Sequence, residues 1–153
     1  MLSHLPDPFD LVLDADAIRL WPTQTARTCI VTPHEGEFDR YFEGYTGDTE
    51  TRAMEAAATS GAIIVLKGPQ TVIAAPDRKT VLNTTASPYL AKAGTGDVLA
   101  GLITGLLAQG MPAFDAACAG VWIHGQAGAR IGPGLIPQDI FSEIRSILAD
   151  LIG

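Results

Sequence analysis

The chain has 153 residues, 47% hydrophobic and 18% charged, the proportions of a globular domain rather than of a disordered or fibrous chain. Its formal net charge of -7 and the absence of any basic run exclude a nucleic-acid or anionic-membrane binder, because both surfaces are held by clustered Lys and Arg. Cys29 and Cys118 lack a C-x-x-C spacing and read as small core residues, no leader pattern opens the sequence, and the longest uncharged apolar stretch, residues 98–108, is short of the roughly 18 residues a spanning helix requires. A soluble, cytoplasmic protein is expected.

In chain order, Leu11-Val12-Leu13, Cys29-Ile30-Val31 and Ile63-Ile64-Val65-Leu66 are short apolar runs, mostly β-branched and bounded by polar or turn residues. Such runs predict strands buried on both faces of a parallel sheet. Between the last two, residues 48–60 are alanine-rich and charge-bearing, a surface helix that Gly61 would close with a left-handed cap. Thr71 to Ala75 and Thr80 to Asn83, divided by Pro76-Asp77-Arg78-Lys79, predict a hairpin laid against the sheet. Three helices follow: Asp97 to Gln109 stopped by Gly110, a second from Pro112 to about Ile131, and a third from Pro137 to about Leu151. With no repeat or linker, this alternation predicts one layered α/β domain over residues 1–153, with ligands beyond the carboxyl ends of the strands.

Gly94-Thr95-Gly96-Asp97 leads into a periodic apolar helix, so successive backbone N–H groups would converge at the positive end of the helix dipole as an anion hole. Asp97 there either takes a proton from a hydroxyl attacking phosphorus or caps the helix. Lys67 leaves a buried strand into a Gly-Pro turn, which sets its ammonium against a phosphate or in solvent. His34 follows Pro33 at another strand end and suits a hydrogen bond to a ligand or an exposed loop position. Asp14 and Asp16 alternate at a strand end, as substrate or metal-water contacts or as a helix cap. His124, inside an apolar helix, reads as a satisfied core histidine.

Residues 83–88 together with Ala91-Lys92-Ala93-Gly94-Thr95-Gly96-Asp97-Val98-Leu99-Ala100-Gly101 resemble the most distinctive segment of the ADP- or ATP-dependent NAD(P)H-hydrate dehydratases, a ribokinase-like family. Leu13-Asp14-Ala15-Asp16-Ala17, Thr32-Pro33-His34-Glu35-Gly36-Glu37 and Leu66-Lys67-Gly68-Pro69-Gln70-Thr71 resemble three further family segments in the same order, and His124-Gly125-Gln126-Ala127-Gly128 extends the likeness. The resemblance implies a three-layer α/β/α ribokinase-like fold and a repair reaction that removes water from hydrated NADH or NADPH, driven by ADP or ATP with Mg2+ as a companion. The ring hydroxyl is phosphorylated, phosphate then leaves, and AMP or ADP is the other product. Asp97 would deprotonate the hydroxyl, and the amides from Gly94 to Gly96 would stabilise the transferring group. Lys67, Gly68, Pro69, Gln70 and Thr71, with Ser87, Lys92, Thr95 and Gly96, would hold the nucleotide. His34, Glu35, Gly36 and Asp97 would face the hydrated ring, and no resident metal is implied.

Two other readings compete. One is a small-molecule kinase of the same superfamily, for a vitamin precursor or a sugar, and the other is a non-catalytic nucleotide-binding module. The family's glycine-rich opening segment and early strands have no counterpart here, since Met1 to Pro8 leads almost directly into the Leu11 strand. A partial domain is therefore expected, completed by a second copy or by a separate N-terminal half. Ala86-Ser87, Lys92-Ala93 and Ala129 also depart from the usual family residues.

Overall fold

The computed structural model describes residues 9–20, 26–85 and 87–153, so Met1 to Pro8 and Ala86 lie outside the described residues. Five strands form one sheet in chain order: β1 (Phe9–Leu13), β2 (Ala26–Val31), β3 (Ile63–Leu66), β4 (Thr71–Ala74) and β5 (Thr80–Asn83). β1, β2 and β3 run parallel, with Leu11 opposite Cys29 and Ile30 opposite Ile63. The hairpin does not lie against this sheet but continues it, with β4 antiparallel to β3 and β5 antiparallel to β4. Residues 67–70 are too short a connection for a crossover, so the chain can only turn back beside the strand it has left.

Strand periodicity sorts the core into two layers. Val31, Ile64, Leu66, Val72 and Ala74 point to one face, where Phe38, Ala53, Ala56 and Ala57 cover them. Ile30, Ile63, Val65 and Ile73 point to the other and meet Leu99, Ile103, Ala117 and Val121. β3 and β4 are buried along their whole length, as a central strand requires, whereas in β1 only Leu13 is buried. β1 is an edge strand among the described residues.

The first face carries α1 (Glu35–Tyr41) and α2 (Thr49–Ser60), joined by Arg52, which donates to Glu35 at 3.0 Å, pairs with Asp39 and lies over the Phe38 ring. α2 has the expected punctuation. The Asp48 carboxylate accepts from the Thr51 N–H at 2.8 Å, and Gly61 takes φ 75° while its N–H meets the Ala57 carbonyl. The opposite face carries α3 (Thr95–Ala108) and α4 (Ala113–Ile131), with α5 (Pro137–Ile152) packed outside them through Val98, Ile123, Ala127, Leu135, Ile140 and Ile147. α3 begins two residues before the sequence suggests, because Gly94 rather than Asp97 is its N-cap. The layered α/β/α expectation holds. Cys29 is buried, which pushes its thiol up to about 12, and Cys118 is partly buried with its thiol also raised by burial. Among the described residues no helix is long and apolar enough to cross a membrane.

Candidate functional site

The carboxyl ends of β1, β2 and β3 come to one edge, and three short links lock them together. The Thr32 N–H donates to the Leu13 carbonyl at 3.0 Å, the Lys67 N–H donates to the Pro33 carbonyl at 2.8 Å, and His34 bridges Lys67 in parallel. Asp14 leaves β1 into a short 3-10 helix (Ala15–Leu20) and becomes the hub of this edge. Its Oδ1 accepts from Thr32 Oγ1 at 2.6 Å and from Lys67 Nζ at 2.8 Å. Burial alone would raise the Asp14 pKa, but the hydrogen bonds from Lys67 and Thr32 and the lysine charge outweigh it and hold the carboxyl below its ordinary value. Lys67 is therefore not a solvated strand-end lysine.

The ion pair stands over the start of α3. A Cβ on Gly96 would lie 3.2 Å from Asp14 Oδ2 and 3.3 Å from Lys67 Nζ, so the glycine leaves these groups their close approach to the helix backbone. Gly94 opens the helix at φ 88°, where an L side chain is strained and where a Cβ would meet Pro137 Cγ at 3.1 Å. The Thr95 N–H reaches the Lys92 carbonyl at 3.3 Å, but among the described residues no acceptor meets the N–H groups of Gly96 and Asp97. Two free amides, the positive end of a 14-residue helix and an ammonium thus share one spot, which is the electrostatic requirement for a phosphate.

From that spot a cleft of about 720 Å³ runs between the loop after β5 and helix α4. Of the residues expected at the site, His34, Lys67, Gly68, Pro69, Thr71, Ser87, Lys92, Thr95 and Gly96 line it. Two of these tie the cleft loop to the helical layer. Ser87 Oγ donates to the Gly128 carbonyl at 3.2 Å, and Lys92 Nζ donates to the Leu135 carbonyl at 2.7 Å, so Lys92 braces the cleft wall. Glu35 and Gln70 border a separate depression with Thr49, Val72 and Leu82. Gly36 sits in the first turn of α1, and Gly94 and Asp97 flank the cleft without lining it, Asp97 being exposed at the third position of α3.

His34 has a local task as well. It is the N-cap of α1: its Nδ1 accepts from the Glu37 N–H at 3.2 Å and its own N–H donates to Glu37 Oε2 at 2.8 Å. This is a capping box with histidine in place of the usual serine or threonine, and the Glu three residues on was its visible signal. The sequence reads His124 as a satisfied core residue, not as part of the site. It lines the cleft, and its buried Nε2 has no hydrogen-bond partner among the described residues, while the Thr95 backbone lies close enough to the ring to favour its protonated form. Burial first, and then the charge of Lys67, bring its pKa down to about 4 despite an opposing influence from the Thr95 backbone.

A sequence model of the family described as NAD(P)H-hydrate dehydratase matches residues 2–145. The chain belongs to that family. It is similar to an ADP-dependent (S)-NAD(P)H-hydrate dehydratase of Neisseria meningitidis, 42% identical over 92% of this chain and 53% of the relative. Its structure is similar to the ADP/ATP-dependent NAD(P)H-hydrate dehydratase of Bacillus subtilis co-crystallised with ATP/Mg2+, with a TM-score of 0.83 and 33% identity over 92% of this chain and 55% of the other. A ribokinase-like superfamily protein of Enterococcus faecalis matches with a TM-score of 0.80 and 27% identity over 91% of this chain and 52% of the other. The fold is the ribokinase-like α/β fold. The chain spans about half the length of these relatives.

Proposed function

We propose that this chain forms the nucleotide side of an NAD(P)H-hydrate dehydratase site, using ADP or ATP to return hydrated NADH or NADPH to its reduced cofactor. The observation that carries this reading is the coincidence of Lys67, the uncapped start of α3 and one large cleft at the carboxyl edge of the parallel strands. The relatives' nucleotide dependence supports it.

In this reading the terminal phosphates rest on the Gly96 and Asp97 amides beside Lys67, and Lys67, Gly68, Pro69, Thr71, Ser87, Lys92 and Thr95 form the walls of the nucleotide cleft. Asp97 accepts the proton of the ring hydroxyl as its oxygen bonds to phosphorus. The bond from phosphorus to the bridging oxygen breaks, and AMP or ADP leaves. The carbon–oxygen bond of the phosphorylated ring then breaks, phosphate departs, and loss of a proton from the neighbouring carbon restores the double bond. The turn from His34 to Gly36 lies on the ring side. Mg2+ would arrive with the nucleotide on its phosphate oxygens and would neutralise charge on the transferring group.

We place the protein in the cytoplasm as one partial ribokinase-like domain over residues 1–153. We also propose that the β1 edge pairs with a second polypeptide, either another copy of this chain or a segment equivalent to the remaining half of its relatives. A non-catalytic nucleotide-binding module is the second reading, favoured by the exposure of Asp97 outside the cleft lining. Calorimetric titration with ADP and with hydrated NADH, followed by absorbance at the NADH band, separates the two. Binding of both ligands with regenerated NADH supports the dehydratase, ADP binding alone supports the module, and no ADP binding rejects both. Light scattering tests the pairing, and a stable monomer with full repair activity would overturn it.

A further inference from the structure

We propose that His124 is a specificity-determining residue of the cleft, whose ring nitrogen hydrogen-bonds an uncharged polar group, ribose or base, of the bound nucleotide. The inference rests on the nucleotide reading above and assigns it a residue on α4, the helix opposite Lys67.

His124 is only 8% exposed, yet it lines the cleft, and its Nε2 is the one buried side-chain nitrogen or oxygen without a partner among the described residues. A buried polar atom left unpaired costs roughly 1–3 kcal/mol, so a Leu or Met of similar size would serve the packing better. The position is also held firmly. On the same helix, a Cβ at Gly125 would stand 2.5 Å from Thr85 Oγ1 and 2.7 Å from the Thr85 carbonyl, and one at Gly128 would stand 2.5 Å from Leu90 Cγ. α4 thus presses its backbone against the cleft loop at two positions after His124, which fixes the backbone of His124 beside the cleft.

The ring is neutral around pH 7, since burial and the nearby Lys67 charge oppose its protonation. A neutral imidazole offers one donor and one acceptor and no net charge. Lys67 and the α3 amides already supply the positive potential for phosphates, so the distinct contribution of His124 is a directional bond to a group that carries no charge. Ribose hydroxyls and the base both fit that chemistry, and analogues tell them apart.

The test uses the full 153-residue chain, its His124→Leu and His124→Gln variants, and four probes: ADP, 2′-deoxy-ADP, IDP and pyrophosphate. His124→Leu should lose about tenfold in ADP affinity and nothing toward pyrophosphate, and His124→Gln should recover part of the loss. Against wild type, the analogue lacking the contacted group should bind about tenfold more weakly than ADP, and His124→Leu should bind that analogue as well as wild type does. In the unmutated protein the imidazole nitrogen resonances of His124 should move on addition of ADP, a readout that is independent of any folding defect in the variants. If the chain binds ADP but the variants match it and the resonances stay put, this proposal fails while the nucleotide site stands. Equal losses toward ADP and pyrophosphate overturn the ribose-or-base assignment. No ADP binding by the unmutated chain overturns this proposal and the nucleotide reading together.

Discussion

Two helices begin at the same edge of the sheet, and they begin differently. α1 closes its first turn with a side chain: His34 and Glu37 exchange two hydrogen bonds across it, which takes up the Glu37 amide and holds the Glu37 carboxylate at the helix start. α3 opens on Gly94, with no side chain to cap it; its Gly96 and Asp97 amides have no acceptor among the described residues, and Gly96 lies beside the Lys67–Asp14 pair. Both starts have the dipole of a helix N-terminus, so the dipole does not choose between them. What differs is the charge at each start: Glu35 and Glu37 set two carboxylates in the first turn of α1, whereas the Lys67 ammonium stands beside Gly96 in the first turn of α3.

The sharpest test of the comparison is Asp97→Asn. In an active assembly the repair rate should fall roughly a hundred- to ten-thousand-fold while ADP affinity and thermal stability hold. A variant that keeps most of its turnover removes Asp97 from the chemistry and leaves the open start as a binding device only.

Acidification should act next most strongly, through His124. Its folded value of about 4 lies below its ordinary 6.5, so between these values the unfolded chain binds more protons and stability rises with pH. The full contribution is present above pH 6.5 and is lost on the way down to 4, up to about 3 kcal/mol by the usual conversion of pKa shift to free energy. Asp14, held below its ordinary value, adds a loss of the same sign at lower pH. Urea denaturation at pH 7 and pH 5 measures the slope, His124→Leu should flatten it, and a flat profile in the unmutated chain would mean the ring is solvated.

A smaller effect is expected from Gly96→Ala. The new methyl group would press on Asp14 Oδ2 and Lys67 Nζ, so ADP affinity should drop about tenfold, the scale of one charge-assisted hydrogen bond. Alanine favours a helix over glycine by up to about 1 kcal/mol, so melting temperature should hold or rise while binding weakens. A fall in both would mean that the methyl group damages packing rather than the anion site.

The smallest effect belongs to the closed start. His34→Ala should cost about 1 kcal/mol of stability through the lost cap and leave ADP affinity within twofold. A large loss of ADP affinity with unchanged stability would reverse the comparison and make His34 a nucleotide ligand.

The strands and most helix ends were legible because their signals are local. Ile63 to Leu66 reads as a buried strand from its own residues, and Asp48, Gly61, Pro112 and Pro137 mark boundaries within one turn of where they act. The site was legible only in part, since its decisive contacts span long stretches of chain. Asp14 meets Lys67 across 53 positions, and nothing near Asp14 in the sequence says which cation it will find. The bond from Lys92 to the Leu135 carbonyl spans 43 positions and turns a candidate phosphate ligand into a brace. His124 looks like core because apolar neighbours surround it in sequence, while the loop that walls the cleft with it lies about 40 residues away.

The two braces of the cleft wall have a mechanical consequence. Ser87 is tied to the end of α4 and Lys92 to the connection before α5, so the loop after β5 is bolted at both ends to the helical layer behind it. A molecule that stiffens this loop cannot do so alone, because the α4–α5 corner must settle with it. Amide protons at that corner should therefore exchange with solvent more slowly once the cleft is filled, although no atom there touches the occupant.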